Sequence, residues 1–252
     1  LEGTNYTNSI EGVGDGKAGS VTKGADASGT GGGASRGTVA VTKSVDGDGK
    51  GLVPAGTEFT VKVEEIAPTG KIAQTYNLMV KADGTPVNGL YQRGTGWKLR
   101  LSEPTFPKVP GVTFGDPVFA AGEGITLTDD GKVATAAITP GKLISVSLTN
   151  TATADRGEVS ITKAIEGTAA GAVSAERTFP IKATFQVPKG APAVAERDHR
   201  VAAGETWTLG GLPVGTVVTF SETKPADTTG MVWGEPKFTP SNKVTVPTGS
   251  QA

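Results

Sequence analysis

Polar and apolar residues alternate along Thr38-Val39-Ala40-Val41-Thr42-Lys43-Ser44-Val45, so Val39, Val41, Lys43 and Val45 share one face of a predicted strand. A lysine thus stands in a row that otherwise reads as core, where an unpaired ammonium is costly. The pattern returns at Glu158–Ile165, where Val159, Ile161, Lys163 and Ile165 share a face. Between and beyond these runs the alternation predicts further strands. Phe59, Val61 and Val63 line one side of Glu58–Glu64, and Tyr76–Val80 follows. Trp97, Leu99, Leu101 and Glu103 then align, and a short run at Val118-Phe119 precedes Ile125–Thr128 and the turn Asp129–Lys132. In Leu143–Asn150 the aligned residues are Ile144, Val146, Leu148 and Asn150.

The two lysine-bearing strands head a tandem repeat. Gly37, Lys43 and Phe59 recur as Gly157, Lys163 and Phe179, Glu103 recurs as Glu222, and Phe114–Phe119 recurs as Trp233–Phe238. About seven short strands per unit predict an all-β fold of two tandem immunoglobulin-like β-sandwiches, the first over 37–153 and the second over 154–252. Residues 1–36 carry the run Gly29-Thr30-Gly31-Gly32-Gly33 and too little apolar material for a core, and read as a linker. Its first residues differ: Thr4-Asn5 matches Thr149-Asn150, so this end reads as the last strand of a preceding repeat. In the second unit Val246-Pro247-Thr248-Gly249 matches Ile138-Thr139-Pro140-Gly141, which leaves that unit without an asparagine-bearing last strand and with an exposed sheet edge.

Composition removes several alternatives. Among 252 residues there are 37 Gly, 16 Pro and no Cys, which suits short strands joined by turns and excludes disulfides, thiol catalysis and cysteine-ligated zinc. The net charge is −1 and the basic residues are scattered, so neither nucleic acid nor an anionic membrane is an expected partner. No apolar span long enough to insert into a membrane stands out. The one histidine, His199, is expected in an exposed loop. No acid pair, nucleophile with a histidine base or metal cluster emerges, so a hydrolase is disfavoured and neither a metal nor another cofactor is expected.

Lys43, Glu103 and Asn150 are inward polar residues on the first, a middle and the last long strand of the first unit. Together they are the ingredients of an intramolecular isopeptide bond. Burial lowers the pKa of an amine until it is a free nucleophile and raises that of a carboxyl until it stays protonated. A protonated Glu103 would polarise the Asn150 carboxamide and pass a proton to departing ammonia. The amide so formed would tie the first strand to the last.

The unit resembles the collagen-adhesin B-type repeat of Gram-positive pilins and adhesins. The resemblance rests on a Val41-Thr42-Lys43 first strand, a mid-unit Ser102-Glu103 before a proline-containing turn, and a final Thr149-Asn150 strand. More narrowly, Val41–Gly47 and Gly204–Thr216 running on into Ser221-Glu222-Thr223-Lys224-Pro225 resemble repeat domains of actinobacterial cell-surface proteins. The resemblance implies an extracellular, cell-wall-associated stalk or adhesin with a host or matrix protein or a glycan as ligand. It also implies Lys43 and Asn150 as bond partners and Glu103 as catalytic carboxyl. In the second unit Lys163 and Glu222 are the counterparts, while Asn242 precedes its strand and is a poor stand-in for Asn150. Asn5 or Asn8, from this chain or a neighbouring copy, is the candidate partner for Lys163, and a neighbouring copy as donor would give head-to-tail self-association. Two weaker signals remain. Asp46-Gly47-Asp48-Gly49 resembles part of a calcium loop but lacks the downstream glutamate. Trp97, Trp207 and Trp233 would line a sugar site if the chain were a carbohydrate-binding module, although core packing suits at least two of them better.

Overall fold

The computed structural model describes residues 6–8, 19–21, 37–88 and 94–248. Its described regular elements are strands and three short 3-10 turns. Tyr6–Asn8 (β1) pairs antiparallel with Gly19–Val21 (β2), and Asn5 lies outside the described residues. The first repeat then supplies β3 (Thr38–Asp46), β4 (Glu58–Ile66), β5 (Ile72–Lys81), β6 (Lys98–Thr105), β7 (Val112–Phe119), β8 (Ile125–Thr128), β9 (Val133–Ala137) and β10 (Leu143–Ala154). The second supplies β11 (Arg156–Thr162), β12 (Thr178–Gln186), β13 (Arg197–Ala202), β14 (Thr206–Pro213), β15 (Val217–Glu222) and β16 (Lys243–Thr245).

In the first repeat a three-stranded sheet, β3-β10-β7, packs on a five-stranded sheet, β5-β4-β6-β9-β8. The central strand of the smaller sheet is the last in sequence. β10 runs parallel to β3 and antiparallel to β7. Its inward residues Ile144, Val146 and Leu148 meet Val39 and Val41 from β3, and Phe59, Val61, Leu99 and Leu101 from the facing sheet. Each such side chain, once fully buried, stabilises the fold by about 1.5–3 kcal/mol. The strict alternation of β10 is what makes this possible, because a one-residue slip would turn its whole apolar row to solvent.

The second repeat encloses a separate cluster, Val159, Ile181, Ala183, Val201, Leu209, Leu212, Val218, Phe220 and Val246. Its sheets are β11-β14 and β13-β12-β15-β16. The register repeats that of the first half: Ile161 faces Trp207 as Val41 faces Val87, and Val246 donates to Thr216 as Ile138 donates to Trp97. His199 departs from the expected loop. It lies within β13, whose pairing with β12 draws Arg197–Ala202 into the sheet, and its ring stands 5.4 Å from Trp207.

A single residue, Asp155, separates β10 from β11, and it is bonded on both sides. Its N–H donates to Gly111, its carbonyl accepts from Val214, and its carboxylate accepts from Thr113 Oγ1 at 2.6 Å. Asp48 spans the same place, accepting from Ala154 N at 2.9 Å and from Arg156 Nη2 at 2.6 Å. The suspected calcium loop therefore spends this carboxylate on the joint, while Asp46 faces Lys50. Close by, a side chain on Gly51 would meet the Gly190 carbonyl oxygen at 2.3 Å, so these two turns touch only because both are glycine. The Ala154 N–H, with Arg156 beside it, holds the Asp48 carboxyl below its ordinary range. A carboxylate so depressed contributes above the ordinary carboxylate pKa and stops contributing as pH falls through its own lower value. We expect Asp48→Ala to loosen the joint at neutral pH, seen as faster tryptic cleavage after Arg156. Small-angle scattering should show the parent chain acquiring the same looseness only below the usual carboxylate range.

Candidate functional site

Between the two sheets of the first repeat, three strands bring three polar side chains into one apolar chamber. Lys43 comes from the end of β3, Glu103 from β6 across the sandwich, and Asn150 from β10. Lys43 Nζ donates to Glu103 Oε2 at 2.9 Å, and both side chains are 0% exposed. Asn150 is equally buried. In the β3–β10 ladder Lys43 faces Leu148, so Asn150 is its diagonal neighbour. Strands about 4.8 Å apart that rise about 3.3 Å per residue place such positions roughly 8 Å apart at Cα, a gap that a lysine stem and a carboxamide together close.

Phe59 forms the wall beneath the amine, its ring centroid 4.4 Å from Lys43 Nζ, and Phe114 packs edge-on against Phe59 at 5.3 Å. This enclosure governs the protonation of the pair. Desolvation pushes the Lys43 amine down and the Glu103 carboxyl up, and in each case it outweighs the attraction between the two. Both shifts favour the uncharged forms, an amine beside a carboxylic acid.

The carboxamide is aimed by a β-bulge. Pairing between β10 and β7 slips between Asn150 and Ala152, leaving Gly115 and Asp116 opposite Thr151. The Gly115 carbonyl accepts from Asn150 Nδ2 at 3.3 Å, and the carboxamide also lies within hydrogen-bonding reach of Glu103. Two buried acceptors, Glu103 Oε1 and Asn150 Oδ1, have no partner.

The second repeat reproduces part of this arrangement. Lys163 Nζ lies 2.9 Å from Glu222 Oε2 and 4.7 Å from the centroid of Phe179, but the two side chains are 15% and 6% exposed. Asn242 stands elsewhere, its carboxamide donating to the Phe220 carbonyl at 3.3 Å beside β16. No described strand occupies the position next to β11 that β10 occupies next to β3. The bulge carbonyl of Gly115 and the aromatic floor of Phe59 were not singled out as site residues from the sequence. The only trace of either was the matching recurrence of Phe59 and of Gly-Asp/Glu-Pro in the second repeat.

The three tryptophans are half-buried and belong to different packing groups. Trp97 lies on the first core and Trp207 on the second, while Trp233 meets Phe179 edge-on at 5.5 Å. They do not form the coplanar exposed platform that a sugar-binding module requires. Among the described residues no group of acidic or imidazole side chains is arranged to hold a metal ion, and no helix is long and apolar enough to cross a membrane.

A family model described as a domain of unknown function (DUF5979) matches residues 159–252. No curated protein sequence matches the chain. Among solved structures the chain is similar to the major pilin protein T-13 of Streptococcus pyogenes, at 13% identity over 84% of this chain and 92% of the pilin, with a TM-score of 0.34. A second major pilin of that organism matches at 14% identity over 75% and 82%, with a TM-score of 0.32. A single B repeat unit of the collagen-binding surface protein of Staphylococcus aureus matches at 15% identity over 75% and 87%, with a TM-score of 0.21.

The cost of leaving the buried amine alone is measurable. Glu103→Leu removes the acid and keeps Lys43, whereas Lys43→Met with Glu103→Leu removes both. We expect the single variant to be less stable than the double by about 3–5 kcal/mol in urea unfolding at neutral pH. The gap should narrow as pH rises, because a base with a depressed folded-state pKa loses its proton first in the folded chain and its burial penalty fades toward the ordinary lysine range.

Proposed function

We propose that the first repeat joins Lys43 to Asn150 through an autocatalytic isopeptide bond, and that the chain serves as stalk or adhesin repeats on the surface of a Gram-positive bacterium, outside the cell and associated with its wall. The observation that carries this reading is the convergence of a desolvated amine, a desolvated acid and a carboxamide in one apolar chamber. The neutral Lys43 amine attacks Asn150 Cγ while the Glu103 proton moves to the carboxamide oxygen. Collapse of the tetrahedral centre returns that oxygen to a carbonyl. Glu103 relays the proton lost by the amine to Nδ2, the Cγ–Nδ2 bond breaks and ammonia leaves. Atoms and charge balance without a cofactor, and Glu103 ends as it began.

The product suits a mechanical role. β3 and β10 are parallel neighbours, so tension entering before Thr38 and leaving after Ala154 would shear them along their shared ladder. A bond from 43 to 150 passes that tension directly from strand to strand and leaves the intervening fold unloaded. Closing a loop of about 100 residues also removes unfolded-state entropy, about 4.7 kcal/mol in the chain-entropy treatment of crosslinks. A host or matrix protein or a glycan is the kind of ligand such repeats would present or hold away from the wall.

Intact mass decides the reading: the purified chain should weigh one ammonia less than its sequence, and Lys43→Arg, Glu103→Ala and Asn150→Ala should each restore the full mass at the first repeat. A parent chain at full sequence mass would sink it. The reaction should also follow a bell in pH, because the productive pair is a protonated acid beside a neutral amine. Acid adds a proton to Lys43 and alkali removes the one on Glu103, so both limbs fall. Following ammonia loss in Glu103→Asp, where a shorter acid slows the step, would trace that profile.

A further inference from the structure

An edge strand invites pairing with another chain unless charge, proline or a bulge blunts it. In the first repeat β5 is such an edge: among the described residues it pairs with β4 alone, and most of it is exposed, Ile72 and Met79 included. Ile72–Val80 contains no charged residue, proline or glycine, and its ladder with β4 is regular from Gln74 to Lys81. The second repeat handles the same edge differently. β13 pairs with β12 as β5 pairs with β4, and with Phe59 and Phe179 as equivalents it sets Asp198 where β5 has Asn77, His199 at Leu78 and Arg200 at Met79. One edge is charged and the other is bare.

The main chain of β5 fixes how a partner could join it. Ala82 N donates to the Thr57 carbonyl, and hydrogen-bonded pairs alternate along an antiparallel ladder. Val80, Leu78 and Tyr76 therefore also turn their main-chain groups to β4. Lys81, Met79, Asn77 and Thr75 turn theirs to the open edge.

We propose that β5 is a self-pairing edge, to which a second copy of this chain adds its own β5 in antiparallel register. The two copies are related by a two-fold axis perpendicular to the sheet, and two five-stranded sheets become one. Of the residues turned to the edge, Asn77 lies nearest the middle of the strand, so an axis there keeps the most pairs. Asn77 then faces Asn77, Thr75 faces Met79, and Ala73 faces Lys81, so no like charges meet. On the core side Tyr76 faces Leu78 and Gln74 faces Val80. The two Asn77 carboxamides can donate to and accept from each other across the axis. Main-chain hydrogen bonds supply the affinity, as in other strand additions, and the patch is self-complementary, as a two-fold contact requires. The same axis on β13 would set Asp198 against Asp198, which disfavours pairing there. This contact involves none of the Lys43, Glu103 and Asn150 chemistry, so each can fail without the other.

Sedimentation velocity on the 252-residue chain reads the association. We expect a reversible monomer–dimer equilibrium that Asn77→Asp and Asn77→Lys each weaken by roughly fivefold or more, because like charges then meet on the axis. Mixed in equal amounts, the two variants should associate more tightly than either does alone, a rescue that misfolding of one could not give. Hydrogen exchange on the parent chain is an independent reading: the amides of Thr75, Asn77 and Met79 should slow as concentration rises, and those of β13 should not. A chain that stays monomeric up to about 1 mM overturns the proposal. So does a dimer that both variants leave intact, a dimer that leaves β5 exchange unchanged, or a mixture of the variants that stays apart. Slowing of β5 exchange at every concentration alike, with no dimer, would overturn it too, since the edge would then be covered from within its own chain.

Discussion

A lysine and a glutamate, 2.9 Å apart and wholly removed from water, sit where the two sheets of the first repeat meet. The residues around them keep that contact dry. Phe59 and Phe114 supply the apolar wall, β10 closes the smaller sheet over the amine, and a bulge in the ladder to β7 frees a carbonyl to hold the Asn150 carboxamide. Burying two ionisable groups costs desolvation whichever forms they take, and a sandwich core is easier to build from apolar residues alone. That cost is what the isopeptide bond proposed for Lys43 and Asn150 would remove, since its product is an uncharged amide.

The two repeats form a natural comparison within one chain. The same lysine, glutamate and phenylalanine recur in the same contacts, with the same 2.9 Å separation. Only the first pair is fully sealed from water, the side chains of the second being 15% and 6% exposed. The difference traces to one strand. β10 fills the space between β3 and β7 and brings the asparagine, so burial of Lys43, sheet closure and the carboxamide arrive together.

Much of this was visible in the order of residues. Period-two alternation marked the inward faces of β3, β4, β6 and β10 and set Lys43, Glu103 and Asn150 among core residues, and the recurrence of Gly37, Lys43, Phe59 and Glu103 disclosed the repeat. Alternation is a local property, legible within a few residues because side chains on a strand change face at every step. Strand ends were less legible. β10 runs on to Ala154 and β7 begins at Val112, beyond the apolar runs that announced them, because pairing with a neighbour holds backbone in register after the pattern fades. The strand of His199 is illegible for the same reason, being polar and held at a sheet edge by pairing with β12.

What the order of residues could not contain was adjacency. That β3 and β10 are parallel neighbours, that Glu103 crosses the sandwich to a lysine sixty positions away, and that Gly115 turns its carbonyl to the carboxamide depend on how the sheets assemble. The same holds for Asp48, whose loop looked like a cation site until the joint claimed it. Which way a side chain points is fixed by its own backbone, and so it is written locally. What it touches is decided by strands brought from far along the chain, through burial and hydrogen bonding that no short stretch carries by itself.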